Sequence, residues 1–425
     1  MFFMKYFLVL LFFLGCSRET IKGKDVVFVV FDTLRADFLP IYGSPDVKTP
    51  FLQELAKQSY VFERALAPSS WTAPSTASLF TGVFPSQHGI LTGFVVTKRL
   101  EKNRGIFKYN KIPSSLKTLP ELFKERGYST IGGSDNQNIG KEFGFDRGFD
   151  SLVTFSYKTA PVLNKHLLEA LNSIDKKKPL FLYIQYMDPH GPYHRRDPWY
   201  VPGKDKKDDT VQRYKSEIEF VDHHFKDLVD KFPRLKNAVF IITSDHGEQF
   251  WEHGKRGHGR TLHRAETHIP FFIRFPSKKD QTRINEPVSL VDVMPTLSEM
   301  FGETPDSRWS GRSLVPLLKG NDSGVRSAYS ELLFIQELKR RANYRSILIQ
   351  DTQLIERVDK EKKIKAFNWQ NDPKQQNPSF LESDDWAVQF MRSYIKGLQI
   401  LTSEEGEMIL DEAHIERLKT LGYVM

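Results

Sequence analysis

The chain has 425 residues, 40% hydrophobic and 27% charged, the composition of an ordinary globular protein, which excludes a disordered chain, a collagen and a multi-pass membrane protein. A net charge of +8 is mild for this length, and no Lys/Arg block with interleaved aromatics points to nucleic acid, so no nucleic-acid partner is expected. The single cysteine, Cys16, cannot form an internal disulfide, and the core has to hold the fold without staples.

In chain order, Met1 to Gly15 carries one cation, Lys5, followed by the apolar run Tyr6 to Leu14. That run is shorter than the roughly 20 residues a spanning helix needs and is expected to be an export signal covering residues 1–15. Leu14-Gly15-Cys16 resembles the end of a bacterial lipoprotein signal, although Phe13 departs from the usual aliphatic residue. The resemblance implies acylation of Cys16, a lipid anchor in a membrane and a place in the bacterial cell envelope.

From Lys22 onward, short β-branched and aromatic runs alternate with segments of helical period, which predicts an α/β fold with a large, mostly parallel central sheet flanked by helices. Buried strands are expected at Val26–Phe31, Leu180–Ile184 and Val239–Ile242, with a further strand at Gly127–Ile131. Helices are expected around Leu116–Arg126, Val162–Ile174 and Val211–Leu228, and the charged run Lys204–Asp209 is expected to be a solvated loop. In Pro68–Gly82, Pro74 suits a first helical turn and Gly82 a helix end, so Thr72 falls at a helix N-terminus. Beyond Leu318 the chain becomes more polar, and residues 319–425 are expected to form a small α+β subdomain after a main domain at 22–318.

Each of the three buried strands runs into acids or histidines, and in open parallel sheets ligands collect at the carboxyl ends of strands. Asp32 follows the first, Met187-Asp-Pro-His-Gly-Pro-Tyr193 the second, and Ser244-Asp-His-Gly-Glu248 the third. If the strands are neighbours, Asp32, Asp245 and His246 form a ligand set for a divalent cation such as Mg, Ca, Mn or Zn. At its helix N-terminus Thr72 is placed either to meet an anion or to cap the helix and do nothing more.

Together, Asp32–Asp37, Trp71–Gly82, Tyr186–Tyr193, Ser244–Glu248 and Gly257–Leu262 resemble the sulfatase family of the alkaline phosphatase superfamily. Weaker matches extend the similarity through Gly144–Asp150, Val291–Leu297, Gly311–Leu314 and Leu418–Tyr423. The resemblance implies an alkaline phosphatase-like mixed sheet, a metal at the strand ends and a C-terminal domain with its own antiparallel sheet. The departures are equally informative. Thr72 stands where the family carries the Cys or Ser that is oxidised to formylglycine, and Thr76 stands where it carries arginine. Ile131–Asn136 occupies the place of the usual lysine and histidine, and Thr33 that of a second acid.

Threonine at the nucleophile position resembles the phosphodiesterases and lipid-headgroup phosphotransferases of the same superfamily. By that resemblance Thr72 is a metal-bound nucleophile, ligated together with Asp32, Asp245 and His246, and His190 and His258 bind the anion or protonate the leaving group. The expected activity is metal-dependent hydrolysis of sulfate or phosphate esters of a glycan, lipid or small molecule. Two alternatives are a phosphotransferase or phosphodiesterase acting on headgroups, and a noncatalytic glycan-binding lipoprotein. Lys255, Arg256 and Arg260 are read as exposed loop charges, and His253 and His268 as structural.

Overall fold

The computed structural model describes residues 20–93, 107–155, 159–334, 342–358, 363–398 and 404–408, so Cys16, the signal segment and Leu418–Tyr423 lie outside the described residues. Strands with no polar residue must be covered on both faces. Val26–Phe31 (β1) meets that condition: every residue is buried, Val26, Phe28 and Val30 facing one core and Val27, Val29 and Phe31 the other.

Around β1 a nine-stranded sheet is built from Ser59–Leu66 (β2), Ser129–Ser134 (β3), Ser151–Thr154 (β4), Leu180–Tyr186 (β5), Val239–Thr243 (β6), His268–Ile269 (β7), Phe271–Arg274 (β8) and Thr282–Ser289 (β9). The order is β7-β2-β8-β6-β1-β5-β3-β4, with β9 also paired to β2. β1 is parallel to both β5 and β6, β3 is parallel to β5 and β4, and β7 and β8 run antiparallel to β2. The mostly parallel sheet inferred from the alternating pattern is therefore present, and the ends of β1, β3, β5 and β6 share one edge.

Helices cover both faces: Pro50–Ala56 (α1), Thr72–Thr81 (α2), Leu119–Lys124 (α3), Ala160–Asn172 (α4), Lys206–Lys231 (α5) and Val293–Met300 (α6). α1, α4 and α5 bury apolar residues on one face of β1, and α2, α3 and α6 on the other. The expected helices appear with shifted ends, as does the strand at β3. One expectation fails. Lys204–Asp209 is not all loop, because Asp205 caps α5 by accepting from the backbone N–H groups of Lys207 and Asp208, and Asp208 and Asp209 lie in its first turn. Acidic side chains complement the positive end of a helix dipole, so this charge run starts a helix.

A second, antiparallel sheet is formed by Ser327–Leu332 (β10), Tyr344–Ile349 (β11), Thr352–Arg357 (β12), Ile364–Asn368 (β13) and Ser379–Leu381 (β14), in that order, with the helix Trp386–Gly397 (α7) contributing to its core. It is tied to the main sheet, since Glu331 N donates to Pro68 O at 2.9 Å and Ser330 Oγ to Ala67 O at 2.6 Å. Among the described residues no helix is long and apolar enough to cross a membrane.

Candidate active site

β1 ends at Asp32, whose N–H still pairs with Tyr186 O at 2.8 Å. The strand thereby fixes the backbone that carries the carboxylate. β6 delivers Asp245 and His246 one strand away, and both, like Asp32, are fully buried. Ligand atoms of Asp32, Asp245 and His246 all lie within 4.8 Å of one another. The sequence expectation that these three residues converge is met by the geometry.

The helix α2 brings in Thr72 as its first residue, with Trp71 as extended N-cap and Gly82 in the left-handed conformation at its end. Thr72 is therefore not the cap. Its Oγ1 lies 3.4 Å from Asp32 Oδ2 and 3.3 Å from His246 Nε2. Ser75 Oγ donates to Asp245 O at 2.5 Å, and Gly259 N to Ser70 O at 2.8 Å, which anchors this helix start to the β6 loop.

Two amides that no local sequence pattern singles out complete the centre. Asn136, following β3, donates through Nδ2 to Asp32 Oδ2 at 2.8 Å and to Thr72 Oγ1 at 3.2 Å. Its Oδ1 accepts from Asn138 N at 2.9 Å, which orients the amide. Gln185 of β5 reaches Asp32 Oδ2 at 3.2 Å and Asp245 Oδ2 at 3.4 Å, and its Oε1 accepts from Tyr183 OH at 2.7 Å. In the segment that stands where the resemblance puts a lysine and a histidine, the site thus has a neutral donor. Thr33, in the place of a second acid, sits at φ 59 and gives its N–H to Asp245 Oδ1 at 3.2 Å. Its hydroxyl is engaged by Pro189 O at 2.9 Å.

Electrostatics separate the groups. Burial, aided by the negative charge of Asp245, raises the Asp32 pKa, and burial takes Asp245 up to about 6. Burial and the neighbouring His258 push His246 down to about 4, which keeps it neutral and able to coordinate. Asp32 Oδ1 is buried without a hydrogen-bond partner. An orphaned carboxylate oxygen beside a second carboxylate and a neutral imidazole is the donor set a divalent cation satisfies.

His190 and His258 lie beside this centre. The His258 ring is 4.5 Å from that of His246 and 5.1 Å from that of His190. Burial would lower the pKa of His258, but Glu248, 3.3 Å from its Nδ1, outweighs burial and holds it up at about 9. Glu248 is correspondingly held down at about 2, because His258 outweighs the upward push of burial, and it also accepts from Tyr193 OH at 2.7 Å. Burial lowers the pKa of His190, so the pair offers one cationic and one neutral imidazole. Glu248 and Tyr193 lay inside the quoted motifs, but their roles emerge only once the loops are folded together.

His253 and His268 stay outside the centre. His253 stacks on His263 at 3.7 Å, and His268 Nε2 lies 2.9 Å from Glu63 O. Another grouping of possible ligands among the described residues, His223, His224 and Asp227, lies on α5, with His223 exposed.

The sulfatase family model matches residues 24–303, and the model for the N-sulphoglucosamine sulphohydrolase C-terminal region matches residues 252–396. An ulvan-active sulfatase of Formosa agariphila is 25% identical over 443 residues, covering 91% of this chain and 83% of the relative. A Delta 4,5-hexuronate-2-O-sulfatase of Bacteroides thetaiotaomicron is 21% identical over 368 residues, covering 72% and 74%. Among solved structures, the phosphonate monoester hydrolase of Agrobacterium radiobacter superposes with a TM-score of 0.70 at 16% identity, covering 88% of this chain and 94% of that one. The large, mostly parallel sheet, the helices on both faces and the second sheet agree with that likeness. The chain belongs to the sulfatase family, a family of sulfuric ester hydrolases.

Proposed function

We propose that this protein cleaves sulfate or phosphate esters through Thr72, with a divalent cation held by Asp32, Asp245 and His246. The observation that carries this reading is the Thr72 hydroxyl at the start of α2, within 3.4 Å of both Asp32 and His246. A bound cation would supply Lewis-acid stabilisation of negative charge on the threonine oxygen.

The chain's own groups supply the rest. Thr72 gives its proton to Asp32 Oδ2, 3.4 Å away, and attacks sulfur or phosphorus in line with the ester oxygen, so that the Oγ1 bond forms as the ester bond breaks. Asn136 Nδ2 holds Thr72 Oγ1 in place and spreads the charge of Asp32. His258, kept protonated by Glu248, is placed to give its proton to the leaving oxygen, and neutral His190 beside it to bind the transferred group. Water then hydrolyses the threonyl ester. Because Thr72 cannot become formylglycine, release by aldehyde-hydrate elimination is closed to it. A phosphate substrate is therefore a specific second reading of the same centre, since the threonyl adduct must be attacked directly by water.

The test is a rapid acid quench of the protein turning over an aryl sulfate and an aryl phosphate with Ca, Mg, Mn or Zn supplied. A labelled Thr72 peptide is expected, and its mass separates sulfuryl from phosphoryl transfer. Thr72→Ala is expected to lower kcat/KM by at least roughly 10³-fold. Turnover that survives Thr72→Ala with no trapped peptide refutes the reading, and metal uptake without turnover on either ester favours a binding protein. The same proposal carries the signal at 1–15, the acylated Cys16, the envelope location and the division of the mature chain at Leu318.

A further inference from the structure

Glu248 and His258 are the two roots of a hairpin, Gln249–Phe250 paired with Arg256–Gly257. Its underside is fixed. Phe250 packs against Tyr214 at 4.8 Å and Tyr193 at 5.6 Å, Glu252 pairs with the buried Arg35, and Gln376 Nε2 donates to Glu252 O at 3.0 Å. At the tip, Trp251 adopts φ 69, a left-handed conformation rare for an aromatic residue. The turn bonds Trp251 N to Lys255 O and Gly254 N to Trp251 O, both at 3.0 Å, keep it there. Strain that the surroundings over-determine is a pointer to use.

The tip presents a half-exposed indole between two cations, Lys207 at 5.4 Å and Arg256 at 5.8 Å from the ring centre. Arg256 also lies 6.0 Å from the ring of Tyr193, whose hydroxyl bonds Glu248. Lys207, Lys255 and Arg256 are exposed, and Lys207 lies close enough to Asp205 to help lower its pKa. Inside the site Thr76 and the Asn136 segment stand where the resemblance puts arginine and lysine, and the cation there is His258, while Lys255 and Arg256 of the hairpin and Lys207 of α5 add positive charge around the indole.

We propose that the hairpin from Gln249 to Gly257 is the subsite for the rest of an acidic glycan. The indole packs on an apolar sugar face, and Lys207, Lys255 and Arg256 meet carboxylate or sulfate groups beyond the ester being cleaved. This rests on the proposed ester-cleaving centre, and it assigns the residues that hold the substrate beyond the ester.

Binding is measured by calorimetry in the Thr72→Ala protein, where no chemistry intervenes, with a heparin-derived tetrasaccharide, neutral maltotetraose and anionic phospholipid vesicles. The tetrasaccharide is expected to bind, more weakly as salt rises, and maltotetraose to bind at least tenfold less. Trp251→Gly and Arg256→Gln are each expected to weaken tetrasaccharide binding at least tenfold. Trp251→Gly should do so with no fall in melting temperature, since glycine accepts the positive φ. With Thr72 intact, kcat/KM on a sulfated oligosaccharide should fall at least tenfold further than on an aryl ester. Tetrasaccharide affinity unchanged in both variants, equal binding of maltotetraose, or dependence on the hairpin for vesicles alone overturns the subsite. Hairpin-dependent binding in a protein that turns over no ester leaves the subsite standing and removes only the chemistry.

Discussion

His88 offers a direct way to test how the floor beneath the nucleophile is held. The residue is fully buried, its Nδ1 accepts from Ile90 N at 3.0 Å, and its Nε2 lies 3.0 Å from Ser78 Oγ and 3.2 Å from Pro74 O, both on α2. An imidazole whose Nδ1 already accepts a backbone N–H has no place for a second proton, and burial pushes its pKa down to about 3 from the ordinary 6.5. The folded state therefore binds a proton less tightly than the unfolded chain does. The stabilisation is complete above pH 6.5 and is lost as pH falls toward 3, at about 1.4 kcal/mol per pH unit. Between pH 7.5 and 4.5 this one group is expected to remove about 2.7 kcal/mol of stability, counting the two units below 6.5. His88→Gln keeps an acceptor and a donor but no ionisation, so urea unfolding at the two pH values should show a correspondingly smaller loss. The other histidines held near 3, half-buried His263 and buried His268, act with the same sign in both proteins and cancel from the comparison. Equal losses in wild type and variant refute the assignment of a buried, neutral His88 beneath α2.

Asn136→Ala removes a bond to a carboxylate and one to the Thr72 hydroxyl, and kcat/KM is expected to fall roughly 10- to 100-fold, at about 1.5–3 kcal/mol for a bond to a charged group. Steady-state kinetics on an aryl ester check it. Glu248→Gln removes the main charge that offsets burial and leaves only Asp32 and Glu266 to oppose it, so the His258 pKa should drop from about 9, and an NMR titration of the ring protons reads the shift directly. Breaking that buried pair is also expected to cost about 3–5 kcal/mol in denaturant unfolding. A Cβ added at Gly247 would lie 2.2 Å from Ala265 O, so Gly247→Ala must displace the loop between His246 and Glu248. A loss of about 1–3 kcal/mol in stability and a weaker response of the melting temperature to added divalent cation are expected.

The parts of the site that were legible in the sequence are those written as local pattern. β1, Leu180–Ile184 of β5 and Val239–Ile242 of β6 are continuous runs of apolar and aromatic residues, and a strand buried on both faces is the reading that Val26–Phe31 favours. Asp32, Asp245 and His246 follow those runs directly, so the strand-end rule located them without a fold. Thr72 was placed by Pro74 and Gly82. Asn136 and Gln185 were missed because a neutral amide carries no spacing signal and becomes a donor to Asp32 only when β3, β5 and β1 lie side by side. The helix start at Asp205 was misread for a different reason: the capping pattern was present, but the density of charge around it suggested solvent.

The bonds from Ser75 to Asp245 O and from Gly259 to Ser70 O have a consequence for how the centre behaves under load. They rivet the cradle of the proposed attacking oxygen to the loop that bears Asp245 and His246, so thermal agitation displaces both together. The gap the oxygen must cross keeps its gauge on warming, and activity should fail abruptly, with the seam itself, instead of fading by gradual misalignment.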